Sequence, residues 1–191
     1  MKPKKCKNCG QMFDPQRSMQ KACSVPCAIE LANKAKAKTA KAKEAKERKV
    51  IREKLDALRT KPQLVKLAQT AFNGFIRARD AGKPCISCGT PLGTEPNTYD
   101  AGHYRSVGSA PHMRFVEDNC HGQCKHCNNY LAGNHVEYRK RLLERIGQRN
   151  VELIESDNTT RKYTKEGLEE IARHYRAEAR RLLKEKNLAN S

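Results

Sequence analysis

There is no tryptophan in this chain, and only 5% of its residues are aromatic. A single large core of stacked rings is therefore excluded. Hydrophobic residues of every kind make up 37% of 191 positions, and small bodies built from so little apolar surface need metal staples to hold them. Acidic residues are scarce as well, 21 Asp and Glu against 39 Lys and Arg. The net charge of +18 implies a polyanionic partner, because such a surplus neutralises phosphates and releases their counterions; a ribosome-associated or simply solvated basic protein would carry the same charge. No stretch approaches the roughly 18 apolar residues of a membrane span. The first ten residues place no apolar segment behind their lysines, so neither a membrane anchor nor a secretory leader is expected.

What the chain has instead is cysteine. Eight of the nine fall into short pairs, Cys6 with Cys9, Cys23 with Cys27, Cys85 with Cys88 and Cys124 with Cys127. In a reducing cytoplasm, pairs at these spacings read as metal ligands rather than disulfides. Four thiolates from two such pairs close a tetrahedral zinc shell, and closed shells are structural rather than catalytic. Two Zn²⁺ sites are therefore expected, with His121 and His126 beside the last pair as alternative ligands. Cys120, the unpaired ninth, reads as a small buried residue.

Between the two cysteine sets the composition changes abruptly. Residues 34 to 61 hold twelve Lys or Arg and four acids, with alanine the commonest of the rest, a mixture that favours helix. Ile29, Leu31, Val50, Ile51, Leu55 and Leu58 are too scattered for a sustained heptad seam. A long exposed basic helix is expected, acting as a spacer or lying along a phosphate backbone. Leu64, Leu67, Ala68, Ala71, Phe75 and Ile76 then keep helical spacing over 63–80, stopped by Ala81-Gly82-Lys83-Pro84. Further helices are expected over 136–146 with Gly147 as the stop, briefly over 151–154, and over 165–187 with Thr164 as cap. The expected fold is mainly α with small zinc-stapled β-hairpins: a zinc-ribbon or treble-clef module over 1–30, a basic helical connector over 31–61, and a zinc-stapled domain over 62–191.

In that last domain, apolar and polar residues alternate loosely from Tyr99 onward. This suits a hairpin of strands at 99–104 and 113–116, with Asp118 and Asn119 ending the second strand and a helix opening near Cys124. Hairpin then helix, closed by zinc, is the ββα-metal arrangement. The runs Cys85-Ile-Ser-Cys-Gly89, Asp100-Ala-Gly-His-Tyr104, Asn119-Cys-His-Gly-Gln-Cys-Lys-His-Cys-Asn128 and Gly133-Asn-x3-Tyr138-Arg139 resemble the HNH (His-Me finger) nucleases. They are most similar to the lambdoid phage NinG (Rap) recombination family. The four-cysteine zinc with Asn128 after its last cysteine is also similar to that of phage T4 endonuclease VII. The N-terminal cysteine pairs and the Lys-rich connector extend the likeness over most of the chain.

That resemblance implies a nuclease domain within 62–191 that cuts branched DNA, Holliday junctions and D-loops, in phage recombination, in the host cytoplasm and alongside other phage recombination proteins. It implies His103 as general base, Asn119 as the residue that orients it, and Asn128 with Asp100 as ligands of a catalytic Mg²⁺ or Mn²⁺. In many members of the wider nuclease class the acid directly precedes the histidine, where this chain has Gly102. Asp100 and His103 would share a strand face only through a bulge at Ala101-Gly102. The chemistry suits these residue types: an imidazole of pKa about 6.5 accepts a proton from water at neutral pH, and hard ions take oxygen ligands. Arg105, Arg114, Lys125, Arg139 and Lys140 are candidate phosphate contacts or a solvated face, and His112 and His135 carry no assigned role. Cutting opposed strands of a junction asks for a symmetric pair, so a homodimer is expected. The competing reading is a non-catalytic zinc-dependent DNA-binding or annealing protein that uses the same hairpin only as a scaffold.

Overall fold

The computed structural model describes residues 1–94 and 97–189, and the chain divides into two compact units, Met1–Arg59 and Thr60–Ser191. In the first unit, β1 (Lys4–Lys5) pairs antiparallel with β2 (Met12–Phe13). Gly10 makes the tight return between them at φ +79°, a backbone state that suits glycine. Helix α1 (Val25–Ala57) follows without a break. Ser24 caps it, its hydroxyl accepting from the Cys27 N–H at 3.5 Å. Cys27 therefore lies in the first turn of the helix, and α1 runs on from the first cysteine cluster without a break. Across its 33 residues α1 buries nothing. It is held by alanine-rich propensity and by exposed pairs such as Glu44 with Arg48 at 2.5 Å, each worth only a few tenths of a kcal/mol.

The second unit opens with α2 (Lys61–Asp80), where the Thr60 N–H donates to Gln63 Oε1 at 2.8 Å in a capping box. The expected apolar stripe is its buried face: Leu64, Ala68, Ala71, Phe75 and Ile76, with Phe72 added. That face packs on α5 (Lys165–Ala189) through Leu168, Ala172 and Tyr175, together with Phe115. Thr164 caps α5 as expected, accepting the Gly167 N–H at 3.1 Å. Lys186 closes the far end by donating to the Ala78 carbonyl at 2.7 Å, a cation at the carbonyl end of α2. α3 (His135–Ile146) and α4 (Gln148–Ser156) are separated by Gly147 at φ +82°. Together with Ile86 they form a second cluster around Tyr138, Leu142 and Val151.

The hairpin differs from the sequence expectation. β3 (Tyr99–His103) pairs antiparallel with β4 (Cys120–Cys124), from Tyr99 opposite Cys124 to His103 opposite Cys120. Residues 113–116 are not a strand; they lie between two short 3₁₀ turns, Pro111–Met113 and Glu117–Asn119. Pro111 and Gly108 break the connection early, and the side chains of Met113 and Phe115 go to two different cores instead of one sheet face. Asn119 therefore stands just before the second strand and does not end it. The register is one-to-one throughout, so there is no bulge at Ala101-Gly102, and Asp100 and His103 point to opposite faces of the hairpin.

Candidate functional site

Both cysteine sets close on themselves. The sulfurs of Cys6, Cys9, Cys23 and Cys27, and those of Cys85, Cys88, Cys124 and Cys127, lie within 4.8 Å of one another in each set. The two knuckles share a plan. The Cys6 N–H donates to the Gln11 carbonyl (2.8 Å) and Gly10 N–H to the Cys6 carbonyl (3.0 Å); the Cys85 N–H donates to the Thr90 carbonyl (2.8 Å) and Gly89 N–H to the Cys85 carbonyl (3.0 Å). Backbone N–H groups also aim at sulfur, Cys23 at Cys6 Sγ (3.4 Å) and Cys124 at Cys85 Sγ (3.3 Å). Such donors stabilise thiolates, and four thiolates at this spacing fit tetrahedral zinc. Neither alternative histidine joins the second cluster. His121 is buried, its Nδ1 facing the Tyr138 hydroxyl at 3.3 Å, and burial pushes its pKa down to about 3, so it is neutral. His126 is exposed and stacked on Tyr130.

Pairing with β4 fixes His103 over α2, its ring 6.0 Å from that of Phe72. Its Nε2 lies 3.0 Å from the Arg114 carbonyl. A carbonyl only accepts, so Nε2 carries the hydrogen and Nδ1 keeps its lone pair. Burial lowers the His103 pKa, opposed by that same hydrogen bond, which favours the neutral ring. Nδ1 faces the Cys120 sulfur at 3.6 Å. Burial pushes the Cys120 thiol well above its ordinary value, so it remains a thiol.

The loop carrying the Arg114 carbonyl is held by Asn119, which is fully buried. Its amide donates to the carbonyls of Met113 (3.2 Å) and Arg105 (3.1 Å), and its carbonyl accepts the Arg105 N–H at 2.8 Å. Asn119 thus acts on His103 at one remove, through the backbone.

Asp100 and Asn128 are brought together on the other side. Asp100 Oδ2 accepts from the amides of Asn128 (3.1 Å) and Asn129 (3.2 Å). A carboxylate and an amide carbonyl are the oxygen donors a hard divalent ion takes, so the pair fits Mg²⁺ or Mn²⁺ in donor type, although it lies on the hairpin face opposite His103.

Of the basic candidates, Arg105 is committed internally. Its guanidinium donates to the carbonyls of Ile154 (2.9 Å) and Asp157 and so closes the end of α4. Arg139 is paired bidentately with Glu155, Lys140 with Glu137, and Arg114 donates to Gln69. Lys125 is exposed. A shallow cleft of about 350 Å³ lined by Tyr104, Arg105, Ser106, Ser109, His135 and Glu155 lies near this surface. Two further residues hold the site and gave no motif signal. Asp80, 1% exposed, accepts the Gly122 N–H at 2.8 Å and the Arg79 guanidinium at 2.9 and 3.0 Å. Tyr138 donates to the Gly102 carbonyl at 2.9 Å.

Two four-cysteine clusters that fit zinc, a basic helix and a paired hairpin define a small, strongly basic cysteine-knuckle protein. A family model described as "Bacteriophage Lambda NinG protein" matches residues 1–185. "Protein ninG" of Salmonella phage P22 is 39% identical over 185 residues, covering 90% of each chain. The protein of that name from Escherichia phage lambda is 38% identical over 185 residues, 90% of this chain and 89% of its own, and that of Escherichia phage 933W is 40% identical over 185 residues, 90% of each. The chain belongs to the NinG family of bacteriophage proteins, as its motifs suggested. No solved structure matches it.

Proposed function

We propose that the chain is a structure-specific endonuclease of branched DNA, with His103 as its general base. The reading rests on one arrangement: a neutral imidazole whose Nε2–H is tied to the Arg114 carbonyl, on a loop that Asn119 fastens at both ends. This leaves Nδ1 as the only proton acceptor on the ring. In the step that follows, Nδ1 turns from the Cys120 thiol 3.6 Å away to take a proton from water as the water oxygen bonds to phosphorus; the bond from phosphorus to the 3′ oxygen breaks, and that oxygen takes a proton from solvent. The Arg114 carbonyl then stabilises the imidazolium that forms. A divalent ion held by Asp100 and Asn128 would lie on the hairpin face opposite His103, where it would bind DNA phosphate rather than the phosphate under attack. Opposed cuts in a junction require two copies, so the working species is a homodimer in the host cytoplasm. Sedimentation of the chain with and without a junction checks that requirement.

Two observations favour a second reading, a binding or annealing protein that does not cut: Asp100 and His103 lie on opposite hairpin faces, and a thiol occupies the Nδ1 side. Incubation of a labelled four-way junction with Mg²⁺, Mn²⁺ or no added ion separates the two. Metal-dependent strand scission supports the nuclease; tight binding without scission under either ion supports the binder.

A further inference from the structure

Beside the second zinc cluster the chain makes a π-helical turn, His126–Tyr130, in which the Leu131 N–H reaches the His126 carbonyl at 3.2 Å. Wide turns of this kind are rare and concentrate at functional sites. The chain leaves the turn through two non-glycine residues in the left-handed region, Ala132 at φ +47° and Asn134 at φ +46°, each a backbone state that the surroundings must hold in place. Those surroundings are rigid: Gly133 donates to the Cys127 carbonyl at 2.9 Å, and the Gly133 carbonyl accepts from buried Gln123 at 2.5 Å.

What this turn presents is a flat aromatic face. Tyr130 is 80% exposed in a chain with few aromatic residues, and Leu131 beside it is 46% exposed. The His126 ring lies against Tyr130, centroids 6.1 Å apart and planes 28° from parallel. The phenol, 80% exposed, is thus largely open to solvent, with the imidazole beside it at a small angle. Lys125 is exposed at the start of the turn, and Asp100, Asn128 and Asn129 lie at its base. Elsewhere in this unit the tyrosines are turned inward: Tyr99 to Arg77, Tyr104 to Glu155, Tyr138 to Gly102, Tyr163 to His112 and Tyr175 to Phe115.

We infer that Tyr130, with His126 beside it, is a stacking platform for an unpaired nucleobase at a DNA branch point, and that it supplies preference for branched over linear DNA. Every base has a π-face, so an exposed ring on a basic protein accepts any base that is already out of its stack. Bases at a junction or flap are out of the stack at little cost, whereas in plain duplex the unstacking cost opposes capture. The inference rests on the DNA reading above, but on binding alone and not on cleavage.

The test uses the full-length zinc-loaded chain without added Mg²⁺. Affinities for a four-way junction carrying one unpaired base at its centre and for linear duplex are compared for wild type, Tyr130→Ala and Tyr130→Phe. Tyr130→Ala should weaken junction binding by about 5- to 100-fold, the range of one base–aromatic stack, with duplex binding changed less than twofold; Tyr130→Phe should bind as wild type. The side chain is exposed, so melting temperature and zinc content should be the same in all three. Equal weakening on both DNAs, or no weakening on either, would overturn the platform while leaving cleavage untouched. Absence of binding to either DNA by wild type would overturn the platform together with the DNA reading.

Discussion

A Cβ added at position 102 would run into the Gln123 side chain, with Gln123 Cβ at 3.0 Å and its amide closer still. That amide cannot swing aside, because Gln123 is fully buried and donates to Ser87 Oγ at 2.6 Å and to the Gly133 carbonyl at 2.5 Å. Gln123 occupies the space in which an acid directly before the histidine would sit, and this explains why glycine stands there. Gly102→Ala should lower stability by about 1–3 kcal/mol, the usual penalty for overpacking a filled core. Adding Gln123→Ala should recover part of that loss, read as melting temperature across the double-mutant cycle; full additivity of the two losses would contradict the contact. His103 and Asn119 stand out in the sequence by their spacing to the cysteine pairs. Their actual link, through the Arg114 carbonyl, does not, because backbone groups leave no trace in residue identities.

At the scale of elements, the join between α2 and β4 depends on Asp80. Its carboxylate is desolvated, which alone would raise its pKa, but hydrogen bonds and charge from Arg79, the Gly122 N–H and Lys83 outweigh this and hold it well below the ordinary carboxylate range. Asp80→Asn should cost about 3 kcal/mol or more, the low end for breaking a buried ion pair. The sign of the pH effect follows from the lowered pKa. The contribution is complete above the unfolded value near 4 and is lost as pH falls below it, so the stability gap between wild type and Asp80→Asn in urea titrations should narrow toward pH 3. A gap independent of pH would contradict the carboxylate's role. Nothing in the sequence marked Asp80, since an acid before Ala-Gly-Lys-Pro looks like a solvated helix end. The helices were legible because alanine, lysine and leucine spacing states them locally. β4 was not: Cys-His-Gly-Gln-Cys has little strand propensity and is a strand only because β3, Asp80 and the zinc cysteines hold it there.

For the whole molecule, each of the two units carries its own cysteine cluster, and the first unit takes 17 of the 39 basic residues but only six of the 21 acids. Metal analysis should find two zinc ions per chain. Cys9→Ser should reduce this to one and leave the thermal transition of residues 60–191 in place, whereas Cys88→Ser should remove the other ion and unfold that transition. Loss of both ions from either variant would show that the clusters are not independent. The role proposed for His103 as base is tested by single-turnover cleavage of a labelled four-way junction in Mg²⁺ by wild type and His103→Ala, with junction affinity measured alongside. His103→Ala should bind the junction as wild type does but cut it about 10²- to 10⁴-fold more slowly; equal cleavage rates in the two proteins would overturn the assignment.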